Sequence, residues 1–308
     1  MITAAAVKEL RDMTGAGMMD CKRALTETDG NMEEAVKYLR EKGLAAAAKK
    51  SDRIAAEGAV GCFVSDDHKL GCIVEINCET DFVAKTPNFQ DFLKEIATII
   101  AQNDFADVDA LLNFTYNGEP VSNLLKSQIA KIGENMNIRR FEKYVVPADV
   151  NGIIDVYIHM GGKIGSMVCL NSGNAQDAAN ADLITLCRGL AMQVAAARPQ
   201  FLDRSEVDAA TIENEKEVFR VQALNEGKPA NIVERMVEGR VNKFLEEVCL
   251  VEQDYIRDTS KTVKQHVAEV AKAADTTLSI VKFARFEMGE GLQKREDNFA
   301  QEVLGQMK

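Results

Sequence analysis

An internal repeat is the feature of this chain that most constrains its fold. Residues 58–77 align without a gap on residues 152–171, a shift of 94 positions in which Gly58 matches Gly152. Each copy reads as a strand, a tight turn and a second strand, and a helical pattern follows each copy. The repeat therefore predicts two related α/β subdomains, each built from a strand hairpin and a covering helix.

Helical segments flank this duplicated core, so the predicted fold class is α+β. Thr3 and Asn31 are residue types that cap helices, and the three short helices predicted in this region resemble a ubiquitin-associated (UBA) domain. A last strand is predicted over Leu278 to Phe286, where apolar residues alternate. The predicted units are a UBA-like three-helix domain (1–43), a helix-prone linker (44–55), core subdomain N (56–146), core subdomain C (147–201 and 249–287), an inserted helical hairpin (202–248) and a C-terminal helical module (288–308) with a helix at about 294–304.

The inserted unit is predicted to be an antiparallel helical hairpin of coiled-coil type. Its helices are expected over about 205–224 and 229–248, separated by residues that end one helix and begin the next. Because it is an insertion, its ends near Phe201 and Leu250 should lie close together. The pattern leaves self-association of the hairpin open. The second helix carries an apolar seam of Ile232, Met236, Val237, Val241, Phe244, Leu245 and Val248.

Composition limits the classes of partner. The net charge of −11 argues against a protein that coats duplex nucleic acid or an anionic membrane, because both would require a basic face. Seven cysteines without a C-x-x-C pair are typical of reduced thiols in a cytosolic protein. The start of the chain lacks the charged-then-apolar pattern of a signal peptide. We therefore expect a cytoplasmic protein with no nucleic acid or membrane partner.

Motifs for catalysis and metal binding are weak in this sequence. Cys62, Cys72 and Cys78 with His68 suggest zinc, but cysteine spacings of ten and six differ from the short paired spacings of structural zinc sites. Strand alternation places Cys72 and Cys78 on one face, which favours the core. The glycine-containing stretch 15–17 lacks the strand-to-helix context of a phosphate loop. We expect no catalytic residue, no metal, no cofactor and no directly bound nucleotide.

The stretch 80–83, Thr-Asp-Phe-Val, forms a corner in the predicted structure. A strand ends just before it, and Thr86 with Pro87 can open a helix just after it. Phe82 on such a corner either packs back into its own core, as most phenylalanines do, or projects as an apolar wedge into a partner. The repeat favours the wedge, because the second copy carries the polar stretch 173–177 at the equivalent place.

Two other groups of side chains have open interpretations. Met18 and Met19 form an apolar pair at a predicted helix start, and methionine suits both irregular cores and adaptable partner surfaces. His159 lies beside the predicted turn formed by Gly161 and Gly162. A lone histidine is no catalytic mechanism, so we expect His159 in an exposed loop.

The Thr-Asp-Phe-Val stretch resembles a signature of the elongation factor Ts family. Further stretches resemble the same family in the same order, and the likeness covers nearly the whole chain. Each motif is weak alone, but their order together is very specific. These stretches are residues 7–11, 14–22, 131–135, 137–140, 157–159, 161–165, 237–240 and 286–291.

The resemblance implies a guanine-nucleotide exchange factor without covalent chemistry. It would promote GDP release from the GTPase elongation factor Tu by binding its nucleotide-free state and disturbing the magnesium and phosphate site. In the family, the N-terminal domain and C-terminal module contact the nucleotide-binding domain, the Asp-Phe corner inserts beside the magnesium, and a His-containing hairpin grips another domain. The implied contact residues here are Lys8, Arg11, Met18, Met19, Thr80, Asp81, Phe82, Val83, His159, Gly161, Gly162, Lys163 and Ile164.

Lys163 departs from the family pattern, which usually has arginine there. Lysine keeps the charge but loses bidentate hydrogen bonding, so a role for this side chain does not carry over directly. Two rival functions stand beside exchange: a UBA-like scaffold for another partner, and an enzyme hidden in the duplicated core. The ordered motifs argue against the first, and the lack of convergent catalytic groups argues against the second.

Overall fold

The computed structural model describes residues 2–293, apart from the side chains of residues 230 and 231. Within that range the chain mixes helices with antiparallel sheets, which confirms the predicted α+β class. The terminal helix predicted at about 294–304 lies outside the described residues, as does most of the predicted module 288–308.

Three helices form the N-terminal unit: α1 (Ala4–Thr14), α2 (Met18–Glu27) and α3 (Met32–Ala48). Thr3 accepts a hydrogen bond from the Ala6 amide and Asn31 accepts one from the Glu34 amide, so both predicted caps are confirmed. Gly15 ends α1 in the left-handed conformation, at φ +65°. The short helices bury a small core of their own.

The third helix reaches beyond the N-terminal unit. The stretch predicted to be helix-prone at 44–50 is helical as far as Ala48, and Ala47 is buried in the core of the neighbouring unit. Arg40 forms an ion pair with Glu119. A Cβ added at Gly43 would lie 3.1 Å from the Ala130 Cβ, which shows how closely α3 approaches the next unit.

The first core unit is a three-stranded antiparallel sheet covered by helices. The strand order is β1-β2-β5, so the predicted hairpin is confirmed and the third strand, which the sequence analysis did not predict, pairs beside β2. Buried residues of β2 pack on α5, among them Val74 and Ile76 against Phe89 and Ile96. The elements are β1 (Glu57–Val64), β2 (Leu70–Cys78), α4 (Asp81–Ala84), α5 (Pro87–Gln102), α6 (Val108–Asn113), β3 (Thr115–Tyr116), β4 (Glu119–Pro120), α7 (Val121–Ile132) and β5 (Met136–Val145).

The second core unit has the same plan. Its strand order is β10-β7-β6, and Gly152 lies opposite Asn171 in the hairpin as Gly58 lies opposite Asn77 in the first copy. The predicted last strand is confirmed as β10. The elements are β6 (Gly152–His159), β7 (Ile164–Ser172), α8 (Ala181–Ala197), α9 (Ala209–Asn225), α10 (Ala230–Val248), β8 (Asp254–Tyr255), β9 (Asp258–Thr262), α11 (Val263–Ala273) and β10 (Leu278–Glu287).

The two large sheets pack against each other. Ile73 from the first sheet and Ile154 and Met167 from the second share one buried cluster. The Ile154 amide donates to the His68 carbonyl at 2.8 Å. Strand β2 is therefore buried on both faces, with α5 on one side and the second sheet on the other.

Helices α9 and α10 form the predicted antiparallel hairpin, with two corrections. The first helix begins at Ala209 rather than at 205, because Asp208 caps it and a 3-10 turn, Arg204–Glu206, precedes it. Ile232 is 40% exposed, whereas Val233 is buried. The buried residues recur at 233, 237, 241, 245 and 248, and Ile232 lies one position off that helical stripe.

The ends of the hairpin meet as predicted. The Phe201 amide donates to the Val248 carbonyl at 3.1 Å, and the Leu250 amide donates to the Phe201 carbonyl at 2.9 Å. Both helices of the hairpin carry ion pairs across their interface, with Arg220 on Glu234 and Arg240 on Glu226.

Candidate partner-binding site

The corner, residues 80–83, lies between β2 and α5, where it was predicted. Its side chains divide between core and solvent: Val83 packs at the edge of the first core, and Phe82 is 80% exposed. The interpretation in which Phe82 packs into its own core is therefore wrong. The ring projects from the one-turn helix α4.

Capping side chains fix the path of the chain through the corner. Thr80 caps α4 by accepting a hydrogen bond from the Val83 amide, and Thr86 caps α5 by accepting one from the Phe89 amide. Pro87 occupies the first turn of α5, a position that needs no amide hydrogen. Ala84, the last residue of α4, is buried. These groups turn the inner face of α4 towards the core and its outer face towards solvent.

Residues at the end of α7 lie behind the corner, and the sequence analysis missed them. The Thr80 amide and hydroxyl both donate to the Glu134 carboxylate, at 3.0 Å and 2.7 Å. The Asn135 amide donates to Glu79 at 2.6 Å. The acceptor Glu134 and the donor Asn135 both belong to the stretch 131–135, which the sequence analysis used only as one of the motifs that resemble the family.

An ion pair lies at the start of the corner helix. Lys85 Nζ donates to Asp81 Oδ2 at 2.6 Å. This hydrogen bond lowers the pKa of Asp81, and the nearby charge of Lys163 lowers that pKa further. The corner therefore presents an anionic carboxylate next to an exposed aromatic ring.

The His159 turn, residues 159–164, joins β6 to β7. His159 is exposed, as expected, and its Nδ1 lies 2.9 Å from the Tyr157 hydroxyl. Gly161 is exposed and Ile164 is half-buried. The sequence analysis did not single out Met160, which is 72% exposed at the tip.

The base of this turn is attached to β1. Gly162 has φ +99°, and a Cβ on it would lie 2.7 Å from the Ala59 Cβ, so the close approach requires glycine. Its carbonyl accepts a hydrogen bond from the Val60 amide at 2.8 Å. Lys163 pairs with Glu57 at 3.1 Å. Because Glu57 lies opposite Cys78, two residues before the corner, this ion pair brings the His159 turn near the corner.

The predicted N-terminal contact residues lie on the surface of a separate unit. Lys8 and Arg11 are exposed on α1. Met18 and Met19 are 47% and 70% exposed, so the core interpretation of this methionine pair is wrong. Met13, which the sequence analysis did not single out, is 62% exposed on α1.

A buried carboxylate holds two other family-like stretches together. Glu75 on β2 is fully buried and accepts hydrogen bonds from Arg139 at 3.0 Å, Arg140 at 2.6 Å and the Gly289 amide at 2.8 Å. Asn77 donates to the same carboxylate at 3.1 Å. We name these five residues the Glu75 cluster. It joins the first sheet to the end of β10, which leads into the C-terminal residues.

The cysteines considered for zinc have other surroundings. Cys72 and Cys78 lie in the first core, and burial raises the pKa of each thiol to about 12. His68 contacts the Ile154 carbonyl at 3.1 Å. Residues 2–293 contain no group of three or more histidine, cysteine or acidic side chains arranged to hold a metal ion. In the same range, no helix is both long and apolar enough to cross a membrane.

Comparison with known proteins gives consistent matches. A family model described as Elongation factor TS matches residues 79–290, a range that includes the corner, the His159 turn and both arginines of the Glu75 cluster. Elongation factor Ts of Clostridium novyi (strain NT) is 52% identical over 310 aligned positions, which cover 100% of this chain and 99% of that relative. Elongation factor Ts of Clostridioides difficile (strain 630) is 52% identical over 308 positions, with the same coverage.

Proposed function

Because this chain belongs to the elongation factor Ts family, whose members are translation elongation factors, we propose that it promotes the release of GDP from elongation factor Tu. It binds the nucleotide-free GTPase more tightly than the GDP-bound form. By linkage, it must then weaken GDP binding by the same factor. This activity requires no covalent step, so it needs no catalytic residue, no cofactor and no nucleotide bound to the chain itself.

The exposed ring of Phe82 is the observation that carries this proposal. A phenylalanine that is 80% exposed gains little from its own fold and can bury its ring in a partner, a transfer worth about 2 kcal/mol. The proposed pocket is beside the magnesium and phosphate site of the GTPase. If the pocket opens only when nucleotide leaves, this energy favours the nucleotide-free complex.

Two further surfaces support the same proposal. Met13, Met18 and Met19 expose flexible apolar side chains that suit a protein partner, beside Lys8 and Arg11. The His159 turn exposes Met160 from a rigid base attached to β1. We propose that the N-terminal surface contacts the nucleotide-binding domain and that the His159 turn contacts another domain of elongation factor Tu.

The finer architecture follows the same reasoning. The shared strand order and hairpin register of the two core units support an origin by duplication. We further propose that the three N-terminal helices are a UBA-like domain and that α9 and α10 form a coiled-coil insertion. Since the proposed partner acts in translation, the proposed location is the cytoplasm, with neither nucleic acid nor membrane as a partner.

Release of a fluorescent GDP analogue from elongation factor Tu tests the function. The chain should accelerate release, and Phe82→Ala should lower the maximal rate by about tenfold or more, since about 2 kcal/mol of differential binding is removed. Val221→Ala, which truncates an apolar side chain that is 47% exposed on α9, is the control and should keep the wild-type rate.

The outcome separates this function from a UBA-like scaffold for another partner. Failure of the wild-type chain to accelerate release would overturn the exchange function. Tight binding to the GTPase without any release would favour a scaffold role. Equal losses of rate in Phe82→Ala and Val221→Ala would show that the corner has no special part.

A further inference from the structure

We propose that Glu134 is a positioning residue that holds the corner in the orientation from which Phe82 enters the partner. This inference deepens the proposed function and rests on it. The corner is weakly held by its own hydrogen bonds: α4 has four residues, and one helical turn does not gain enough from its hydrogen bonds to offset its nucleation cost. Phe82 is 80% exposed, so its ring does not anchor the turn.

The Glu134 carboxylate supplies the missing restraint. Oε2 accepts the Thr80 amide at 3.0 Å, and Oε1 accepts the Thr80 hydroxyl at 2.7 Å. The same hydroxyl oxygen accepts the Val83 amide at 3.3 Å. Hydrogen bonds therefore run from Glu134 through Thr80 into α4, and those with a charged acceptor are stronger than neutral ones.

The end of α7 places Glu134 where it can act. Gly133 follows α7 at φ +91°, a conformation that ends the helix and turns the chain towards the corner. The next amide, that of Asn135, donates to Glu79 at 2.6 Å, and the Asn135 side chain donates to the carbonyls of Ser51 and Arg53. The corner and the end of α7 are thus joined at two adjacent points.

This junction also relates the corner to the N-terminal unit. Helix α3 packs on α7 through the close approach of Gly43 to Ala130. Lys50 Nζ donates to the Gly133 carbonyl at 2.7 Å, one residue before Glu134. The N-terminal unit therefore packs on α7, and Glu134 follows the end of that helix. Glu134 thus sets the direction of Phe82 relative to α7.

The first test reads the corner without the GTPase. Glu134→Gln keeps the side-chain shape but removes the charge and one of the two acceptor oxygens, so this side chain can no longer accept from the Thr80 amide and the Thr80 hydroxyl through two separate oxygens. Hydrogen exchange of the amides in residues 79–86, measured by mass spectrometry on the full chain, should become about tenfold faster in Glu134→Gln. Glu142→Gln, exposed on β5, is the matched control and should exchange like wild type. Unchanged protection in Glu134→Gln would overturn the proposal, whatever the chain does to the GTPase.

The second test measures GDP release as a function of exchange-factor concentration. Glu134→Gln should lower the maximal rate by about tenfold and change the half-saturating concentration by less than about threefold, because other surfaces still bind the partner. Thr80→Ser keeps the hydroxyl, so its maximal rate of GDP release should exceed that of Thr80→Val by at least about fivefold. In a Phe82→Ala background, Glu134→Gln should cause less than about a twofold further loss, since it acts through that ring.

The results distinguish failure of the proposed function from failure of the positioning role of Glu134. If the wild-type chain does not release GDP, the proposed function fails. If the wild-type chain and Phe82→Ala behave as expected but Glu134→Gln keeps the wild-type maximal rate, only the positioning role fails. Additive losses in the double variant would also overturn that role, because they would show that Glu134 acts independently of Phe82.

Discussion

Glu75→Gln tests the joint between the first sheet and the end of β10. Glutamine keeps the shape of the side chain and removes its charge. In the wild type, the fully buried carboxylate accepts four hydrogen bonds, from Asn77, Arg139, Arg140 and the Gly289 amide. In the variant, one acceptor oxygen becomes a donor that faces other donors. Arg139 loses its anion, and Arg140 keeps only its ion pair with Glu290.

The expected loss follows from burial. Removing one partner of a buried ion pair costs about 3–5 kcal/mol. The lower end of this range applies because the Arg139 and Arg140 side chains are 24% and 29% exposed, so water can hydrate them when the carboxylate is lost. We therefore expect the free energy of unfolding to fall by about 3 kcal/mol at neutral pH. Glu290→Gln is the matched control, because Glu290 binds the same Arg140 from a position that is 52% exposed, where an ion pair contributes about 0–1 kcal/mol.

The effect should depend on pH with a defined sign. Burial opposes ionisation of Glu75, but the hydrogen bonds from Gly289, Asn77 and the two arginines outweigh it, so its pKa is lowered from the usual 4.5. A carboxylate with a lowered pKa stabilises the folded state above the unfolded-state pKa, and that stability is lost as pH falls through the folded-state pKa. The difference between wild type and Glu75→Gln should therefore be complete at neutral pH and shrink progressively below about pH 4.5.

Urea unfolding followed by far-ultraviolet circular dichroism measures both effects. The two variants and the wild type are compared at neutral pH and at a pH below the usual carboxylate range. A loss in Glu75→Gln no larger than that in Glu290→Gln would refute the reasoning. So would a loss of the same size at both pH values, because the charge would then have no part in it.

Three further predictions concern the remaining units. Phe82→Ala should change the free energy of unfolding by less than about 0.5 kcal/mol, because the ring is exposed. Phe89→Ala, which empties a fully buried site, should lower the free energy of unfolding by about 3–5 kcal/mol. Equal losses of stability in thermal melts of the two variants would contradict the exposed position of Phe82. Replacing residues 202–248 with a short Gly-Ser linker should leave a cooperatively melting core, because Phe201 and Leu250 are already hydrogen-bonded neighbours; an unfolded product would refute the insertion. Under the proposed function, removing residues 1–43 should weaken binding to elongation factor Tu while residues 56–308 still melt cooperatively, and loss of that transition would contradict the proposed boundary.

Local patterns in the sequence predicted much of the core and part of the site. The repeat predicted both strand hairpins, and the capping residues Thr3, Asn31 and Thr86 marked helix starts that the structure confirms. The sharp break after β2 placed Phe82 at a corner. These predictions succeeded because hairpins, caps and strand-to-helix turns depend on residues close together in the chain.

Contacts distant in the chain escaped prediction. Alternation along β2 correctly placed Cys72 and Cys78 in the core, but it could not show that the second sheet buries the opposite face, which carries Glu75. The hydrogen bond from Gly289 to Glu75 spans 214 positions, and that from Thr80 to Glu134 spans 54. Helix α7 and strand β5 were not predicted at all. Glu134 lies in the turn between these two elements, and both arginines lie on β5.

The continuity of α3 has a consequence for partner choice. Its 17 residues give a rod about 26 Å long, one end of which belongs to the N-terminal unit while Ala47, at the other end, is buried in the first core. Under the proposed function, this helix fixes the spacing between the binding surface of the N-terminal unit and that of the first core. Once one surface has bound, the other reaches its target at a high effective concentration, because no flexible tether has to be ordered. A GTPase whose two faces were spaced differently would gain one contact only by giving up the other.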